Sequence, residues 1–421
     1  MIRFMTCCLI FSATGAFAYQ ASLTGSGARA MGMGGAFIAV ADDATAISWN
    51  PAGLTRLDTP EVGAAVTFGS GGWDLSLGDT YGDVLMSDID MDSKLTLNFA
   101  SGVYPLNLGT RHAVGALAYR RYWDFTQKTT QTFTYFEEIP VDVDGDGYVD
   151  GYTDQVKYVD DVSGAVAALT PAFAVQLSPR FSIGATASIM TGGRDATTEE
   201  SFTYYDYYYG FQDSYQDEST ASNGYSGFTG ELGVLADLSS QIRVGAVASL
   251  PWTLKIKDQE IDGRAVGDDV EQRLPAFFGA GLAVKPMPNT TLAFDIRHHA
   301  WSKVELDGQE VDWPDATVLR GGVEYLLIGQ SAVLPLRAGY FVEPLPEREV
   351  EGVDSAYNPV YGDQLKNKAF TVGVGLVMGS ITLDACFART TLKFDDAYGT
   401  NTITDNAFTL STVVHLGQGS H

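Results

Sequence analysis

Apolar and polar residues alternate with a period of two in fourteen segments between residues 61 and 416, and that period marks a strand with two unlike faces. In residues 370–378 one face reads Phe370, Val372, Val374, Leu376 and Met378, and the other Thr371, Gly373, Gly375 and Val377. Residues 381–388 set Ile381, Leu383, Ala385 and Phe387 against Thr382, Asp384, Cys386 and Ala388. Residues 181–189 repeat the arrangement, with Phe181, Ile183 and Ile189 opposed to Ser182, Gly184 and Ser188. The connections follow a second alternation. Tight ones fall at 105–110, 178–180, 239–241, 285–289, 328–331 and 378–380, and between them lie the long ones at 71–93, 126–161, 197–222, 257–271, 307–315, 343–368 and 393–404. In an antiparallel barrel every second connection lies on the same side of the bilayer, and outer-membrane barrels keep the periplasmic turns short while the external loops grow. The pattern predicts an all-β fold, a 14-stranded antiparallel transmembrane β-barrel over residues 59–421.

The ionisable residues inside the predicted strands keep to the same rule. Asp295, Arg297, Arg320, Glu324, Arg337 and Asp384 all fall on the polar face. An Arg or Lys facing lipid at mid-bilayer costs ~2–4 kcal/mol, so these side chains are expected in the lumen. Three successive strands carry both signs, which predicts a paired ladder that satisfies the interior and anchors whatever fills it, in preference to a solute-binding site.

Composition changes the picture in three places. The chain of 421 residues is long for one soluble domain, yet a large barrel uses nearly all of it. No stretch past the N-terminus approaches the ~18 uninterrupted apolar residues of a membrane helix. The net charge of −26 excludes a nucleic-acid binder, and most of the acid lies in the predicted external loops. Residues 1–18 carry Arg3, an apolar run and the small-x-small site Ala16-Phe17-Ala18, which reads as a secretory signal peptide. Cys7 and Cys8 leave with that peptide, so Cys386 remains alone and no internal disulfide is expected.

Residues 19–58 do not alternate. They are rich in glycine and small side chains, which let backbone pack closely, and Pro51 disfavours helix at Asn50 after a short helical stretch. A compact apolar segment of this kind belongs inside the barrel, as a hatch. The Gly27-Ala28-Arg29-Ala30-Met31-Gly32 start, Ala41-Asp42-Asp43-Ala44 and above all Asn50-Pro51-Ala52 resemble the N-terminal hatch of the FadL/TodX family of outer-membrane hydrophobic-compound transporters. Leu274-Pro275, Ala300-Trp301-Ser302 and Leu336-Arg337-Ala338-Gly339-Tyr340 with Pro344-Leu345-Pro346-Glu347 are similar to that family's C-terminal half, in the same order. The resemblance implies a monomer in a bacterial outer membrane. It implies passive uptake of hydrophobic compounds such as long-chain fatty acids, past the hatch and laterally into the membrane. Barrels resembling this family also serve protein secretion systems, so docking or shuttling of a secreted protein is the alternative. A general diffusion porin is disfavoured by the hatch.

Two loops carry candidate sites. Asp142, Asp144, Asp146, Tyr148 and Asp150, with Gly147 at the sixth place, have the spacing of an EF-hand-type calcium loop, though Thr153 stands where the loop expects Glu. The other reading is an acidic, solvated loop. Tyr204, Tyr205, Tyr207, Tyr208, Tyr209 and Phe211 form an aromatic cluster that suits either first capture of an apolar ligand or an interfacial girdle. His298 and His299 are adjacent, face opposite sides of a strand and cannot share a metal. No Gly-x-Ser-x-Gly elbow is present, and no enzyme activity is expected.

Overall fold

The computed structural model describes residues 26–77, 84–86, 89–92, 95–139, 150–206, 211–353, 359–395 and 399–417. The signal-peptide segment therefore lies outside the described residues, as do Asp142, Asp144, Asp146, Tyr148 and the side chain of Asp150.

Fourteen strands close a barrel: β1 (Glu61–Leu77), β2 (Thr96–Leu108), β3 (Arg111–Asp124), β4 (Asp150–Ser178), β5 (Phe181–Asp206), β6 (Phe211–Asp237), β7 (Ile242–Ser249), β8 (Phe277–Met287), β9 (Thr290–His299), β10 (Ala316–Ile328), β11 (Val333–Val353), β12 (Pro359–Met378), β13 (Ile381–Asp395) and β14 (Gly399–His415). Each pairs antiparallel with its sequence neighbour among the fourteen, and β1 pairs with β14 from Glu61↔His415 to Leu77↔Gly399, which removes every free edge. The tight connections gather at one end. At the other end the strands run on, and short strands in the connections extend the sheet: Gln127–Ile139 lies against β4, and Trp252–Ile261 against β6.

Alternation sorts the side chains as the sequence predicts. On β5, Phe181, Ile183 and Ile189 point out while Ser182, Thr186 and Ser188 are buried inside. On β12 and β13, Phe370, Val372, Val374, Ile381 and Leu383 are exposed outward, and Thr371, Asp384 and Cys386 are buried. Such an apolar outer band is stable only against hydrocarbon, which is the physical case for a bilayer around it.

The lumen is filled by residues 26–57. This plug consists of α1 (Ala28–Gly32), α2 (Ala46–Trp49) and a 3-10 turn (Pro51–Arg56), with Phe37, Ile38, Ile47 and Leu54 fully buried. Its backbone approaches the wall so closely that the wall needs glycine there. A Cβ on Gly322 of β10 would lie 2.2 Å from the Met33 carbonyl oxygen, and one on Gly233 of β6 would lie 2.1 Å from Asn50 Oδ1. Hydrogen bonds then fix the register. Asp295 Oδ2 on β9 accepts from the amides of Phe37 (2.7 Å) and Ile38 (2.9 Å). Thr371 Oγ1 on β12 accepts from Gly34 N (3.1 Å) and donates to Gly32 O (3.2 Å).

Asn50-Pro51-Ala52 is a clasp. The Asn50 side-chain amide donates to Ile38 O and to Val234 O, each at 2.9 Å, and its Oδ1 accepts from Ala52 N at 3.1 Å. One side chain thus joins two parts of the plug to β6 and caps the 3-10 turn, while Pro51 takes the first turn position, where its missing N–H costs nothing.

Candidate functional site

Arginines divide the lumen into two regions. Toward the tight-turn end, Arg29 of α1 reaches Asp42 (2.5 Å) and Asp43 (3.3 Å) within the plug and Glu324 of β10 (3.0 Å). Glu324 also accepts from Arg337 of β11 at 2.7 Å, and Arg337 reaches Asp384 of β13 at 2.6 Å. None of the polar atoms in this Arg29–Glu324–Arg337–Asp384 chain is buried without a partner. Burying charge is tolerable only when each member is paired and hydrogen-bonded, and here each is. This half of the predicted ladder is an anchor, tying the plug to three strands.

Above the plug, toward the long-loop end, lies a cavity of about 270 Å³. Its floor is the plug itself, through Ser26, Ser48 and Trp49. The wall contributes Arg120, Tyr122 and Trp123 from β3, Glu231 from β6, and Arg297 and His299 from β9. The loop side supplies Trp252, Leu274, Trp301 and Trp313. Rings touch in series: Phe277 and His299 at 5.5 Å, His299 stacked on Trp301 at 5.7 Å, and Trp301 edge-on to Trp313 at 6.1 Å. Across the cavity Trp123 meets Trp252 at 6.1 Å. Five of the six tryptophans of the chain line this one space.

The cavity arginines are bonded unequally. Arg120 gives both terminal nitrogens to Glu231 Oε1 at 3.2 Å; Arg121 stands 2.8 Å from Asp124, close enough for an ion pair, though its Nε and Nη1 make no hydrogen bond. Arg320 stands 3.9 Å from Glu343. Arg297 forms no ion pair or hydrogen bond among the described residues, and its Nε and Nη2 are buried without a partner. It lies between two rings, 5.2 Å from the centre of Trp49 and 5.6 Å from that of Phe277. The ladder predicted from sequence is therefore paired at Glu324, Arg337 and Asp384 but not at Arg297. Asp295, its neighbour on the same face, is turned to the plug amides instead.

One interruption of the wall adjoins the cavity. Leu169↔Ile189 and Ala172↔Thr186 pair between β4 and β5, but the two positions between them do not. Pro171 falls there and has no N–H to give. The seam is bridged by side chains, Thr170 Oγ1 with Ser188 Oγ at 2.9 Å, and the cavity residue Tyr122 joins Ser188 at 3.0 Å.

Of the residues singled out in the sequence, Asn50, Pro51 and Ala52 are buried at the plug–wall contact. Tyr204, Tyr205 and Phe211 lie at the far end of the β5–β6 hairpin, where Tyr204 and Phe211 are 6.4 Å apart, and none of the three lines the cavity. Tyr207, Tyr208 and Tyr209 lie outside the described residues. Sequence reasoning missed Trp123, Trp252, Trp313 and the cavity role of His299. The signal that points to them is the placing of tryptophans just at or past strand ends on the long-loop side.

No protein-family model matches the chain, and a search of curated proteins finds no match. Solved structures do match over nearly the whole length. A Pseudomonas aeruginosa FadL homologue aligns with a TM-score of 0.58 at 12% identity, covering 92% of this chain and 98% of its own. The P. putida toluene transporter TodX aligns with a TM-score of 0.57 at 14% identity, covering 94% and 100%. The Ralstonia pickettii toluene transporter TbuX gives 0.52 at 12% identity, covering 93% and 99%. At these identities the likeness shows a shared fold.

Proposed function

We propose that this barrel, sharing the fold of FadL- and TodX-type proteins, sits in a bacterial outer membrane as a monomer and passes hydrophobic small molecules inward. The observation that carries the reading is the aromatic cavity whose floor is the plug: a ligand resting there touches Trp49 and stands next to the clasp at Asn50. A plugged lumen is a poor path for water-soluble solutes, whereas an apolar molecule gains by leaving water for rings and then for lipid. Long-chain fatty acids belong to the class that the sequence resemblance suggests. The seam at Pro171 is a place in the wall suited to lateral release, since side-chain bonds replace ladder pairs at two positions there.

The anchor and the cavity divide the labour. Charges near the tight turns hold the plug, and rings above it hold the ligand. Calcium at Asp142, Asp144, Asp146, Tyr148 and Asp150 is a further proposal that rests on sequence spacing, with the role of stiffening a long external loop. Docking of a secreted protein is the competing reading, and one experiment separates the two. Purified folded protein is analysed for co-purified molecules and then reconstituted in vesicles to measure transfer of a hydrophobic tracer into the bilayer. Bound lipid or hydrocarbon and faster tracer transfer than in protein-free vesicles are expected. Reproducible recovery of a secreted protein, with no lipid and no tracer transfer, overturns the proposal.

A further inference from the structure

Among the described residues, Arg297 is the cavity arginine with no carboxylate within 4 Å. Arg120 has Glu231, Arg121 has Asp124 and Arg320 faces Glu343. The nearest carboxylate along the strand, Asp295, gives Oδ2 to two plug amides and keeps Oδ1 buried without a hydrogen bond; it balances part of the Arg297 charge through space but accepts none of its N–H groups. Glu347, just past the cavity-lining Pro346, is buried without a partner and makes no contact with Arg297. A buried guanidinium whose N–H donors lack an acceptor costs free energy unless something supplies one. Two aromatic faces offset part of that cost, but a ring face accepts no hydrogen bond as strongly as an oxyanion does.

The remaining lining describes the other end of the missing partner. Its apolar part is mostly rings, and among the described residues Leu274 and Leu345 are the only branched aliphatic side chains in it. The volume of about 270 Å³ falls below the ~300–1,000 Å³ that holds a drug-sized ligand. A flat, compact body can lie against the continuous surface that Phe277, His299 and Trp301 make by packing on one another at 5.5 and 5.7 Å. A long alkyl chain would need an extended aliphatic groove.

We propose that the cavity binds a compact aromatic carboxylic acid, with the carboxylate on Arg297 and the ring among Phe277, His299, Trp301 and Trp49. This rests on the uptake reading above and narrows its ligand class from hydrophobic small molecules, long-chain fatty acids among them, to a compact aromatic acid. The chain's overall charge of −26 does not oppose it, because exposed charges are screened over ~10 Å at 0.1 M salt and the nearest groups decide. The carboxylate would also draw Arg297 away from Trp49, so that binding loosens one contact between wall and plug.

The test compares three probes on the folded protein in detergent by isothermal titration: 3-phenylpropionate, its uncharged amide, and palmitate. A charge-assisted pair in a buried site discriminates by roughly 10- to 100-fold, so the acid is expected to bind at least ten times more tightly than the amide and more tightly than palmitate. Arg297→Gln should close the gap between acid and amide, and Arg297→Lys should keep part of it. Heat-dependent gel mobility confirms that each variant is folded. Equal binding of acid and amide by the unaltered protein overturns the proposal without any variant, as does tighter binding of palmitate. If the amide or palmitate binds while the acid shows no advantage, hydrophobic uptake stands and the acid specificity falls. If no hydrophobic probe binds at all, the uptake reading falls and takes this one with it.

Discussion

The two ends of the lumen use the same side chain in opposite ways. Near the tight turns Arg29 and Arg337 sit among Asp42, Asp43, Glu324 and Asp384, and each guanidinium is bonded to carboxylates from more than one element. Under the long loops Arg297 keeps donors with no partner and is flanked by rings instead. A saturated arginine is structure, because its removal leaves acids buried alone. An unsaturated one in a cavity is a place for something from outside. Sign and burial do not separate the two cases; the count of partners does.

The largest expected effect comes from exchanging the roles. Arg337→Gln strips Glu324 and Asp384 of a shared cation and should cost ~3–5 kcal/mol of stability, read from guanidinium unfolding followed by tryptophan fluorescence. Arg297→Gln should stay within ~1 kcal/mol of the parent, since no bonded partner is lost. Equal losses in the two variants would erase the distinction between the ends.

Next comes the fit of plug to wall. Gly322→Val places a Cβ about 2.2 Å from the Met33 carbonyl, where the neighbour is backbone and cannot yield. Overpacking of this kind costs ~1–3 kcal/mol and should displace the plug, raising single-channel conductance in a planar bilayer. The same change at Gly102, where nothing lies within 4 Å of the added Cβ, should leave conductance as it was. A smaller effect is expected at the clasp. Asn50→Ala removes the side-chain donor to Ile38 O and Val234 O and the acceptor for Ala52 N and should cost ~2 kcal/mol, with hydrogen exchange rising across the 3-10 turn Pro51–Arg56 and not in β12. The smallest concerns the outer hairpin. Tyr205 and Phe211 do not line the cavity, so Tyr205→Ala and Phe211→Ala should change ligand affinity less than ~2-fold; a larger change would move the binding site outward.

Much of this is legible in the sequence. Strand alternation and connection parity read directly, because a side chain on the wrong face of a membrane strand costs kilocalories. Asn50-Pro51-Ala52 was legible as a motif, and the structure supplies its mechanics, three hydrogen bonds from one amide side chain. The pairing of the lumenal charges was not. Alternation places Arg297, Glu324, Arg337 and Asp384 inside but says nothing of how a non-alternating plug sits among them, and Arg29 and the amides of Phe37 and Ile38 take partners that strand-to-strand reasoning gives to the wall. The cavity was hidden for a related reason. Trp49, Trp123, Trp252, Trp301 and Trp313 come from five distant stretches, each of which alone looks like an interfacial aromatic. The dense tyrosine run around Tyr204 was the louder signal, and it lies elsewhere.

The concentration of tryptophan in one cavity makes the central claim directly measurable. Folded protein titrated with a brominated aromatic compound should lose most of its tryptophan fluorescence in a saturable curve, because five of six emitters line the site, and Trp73→Phe should leave that curve intact. Quenching that is absent, that never saturates, or that disappears with Trp73 would show that hydrophobic ligands do not occupy the space above the plug.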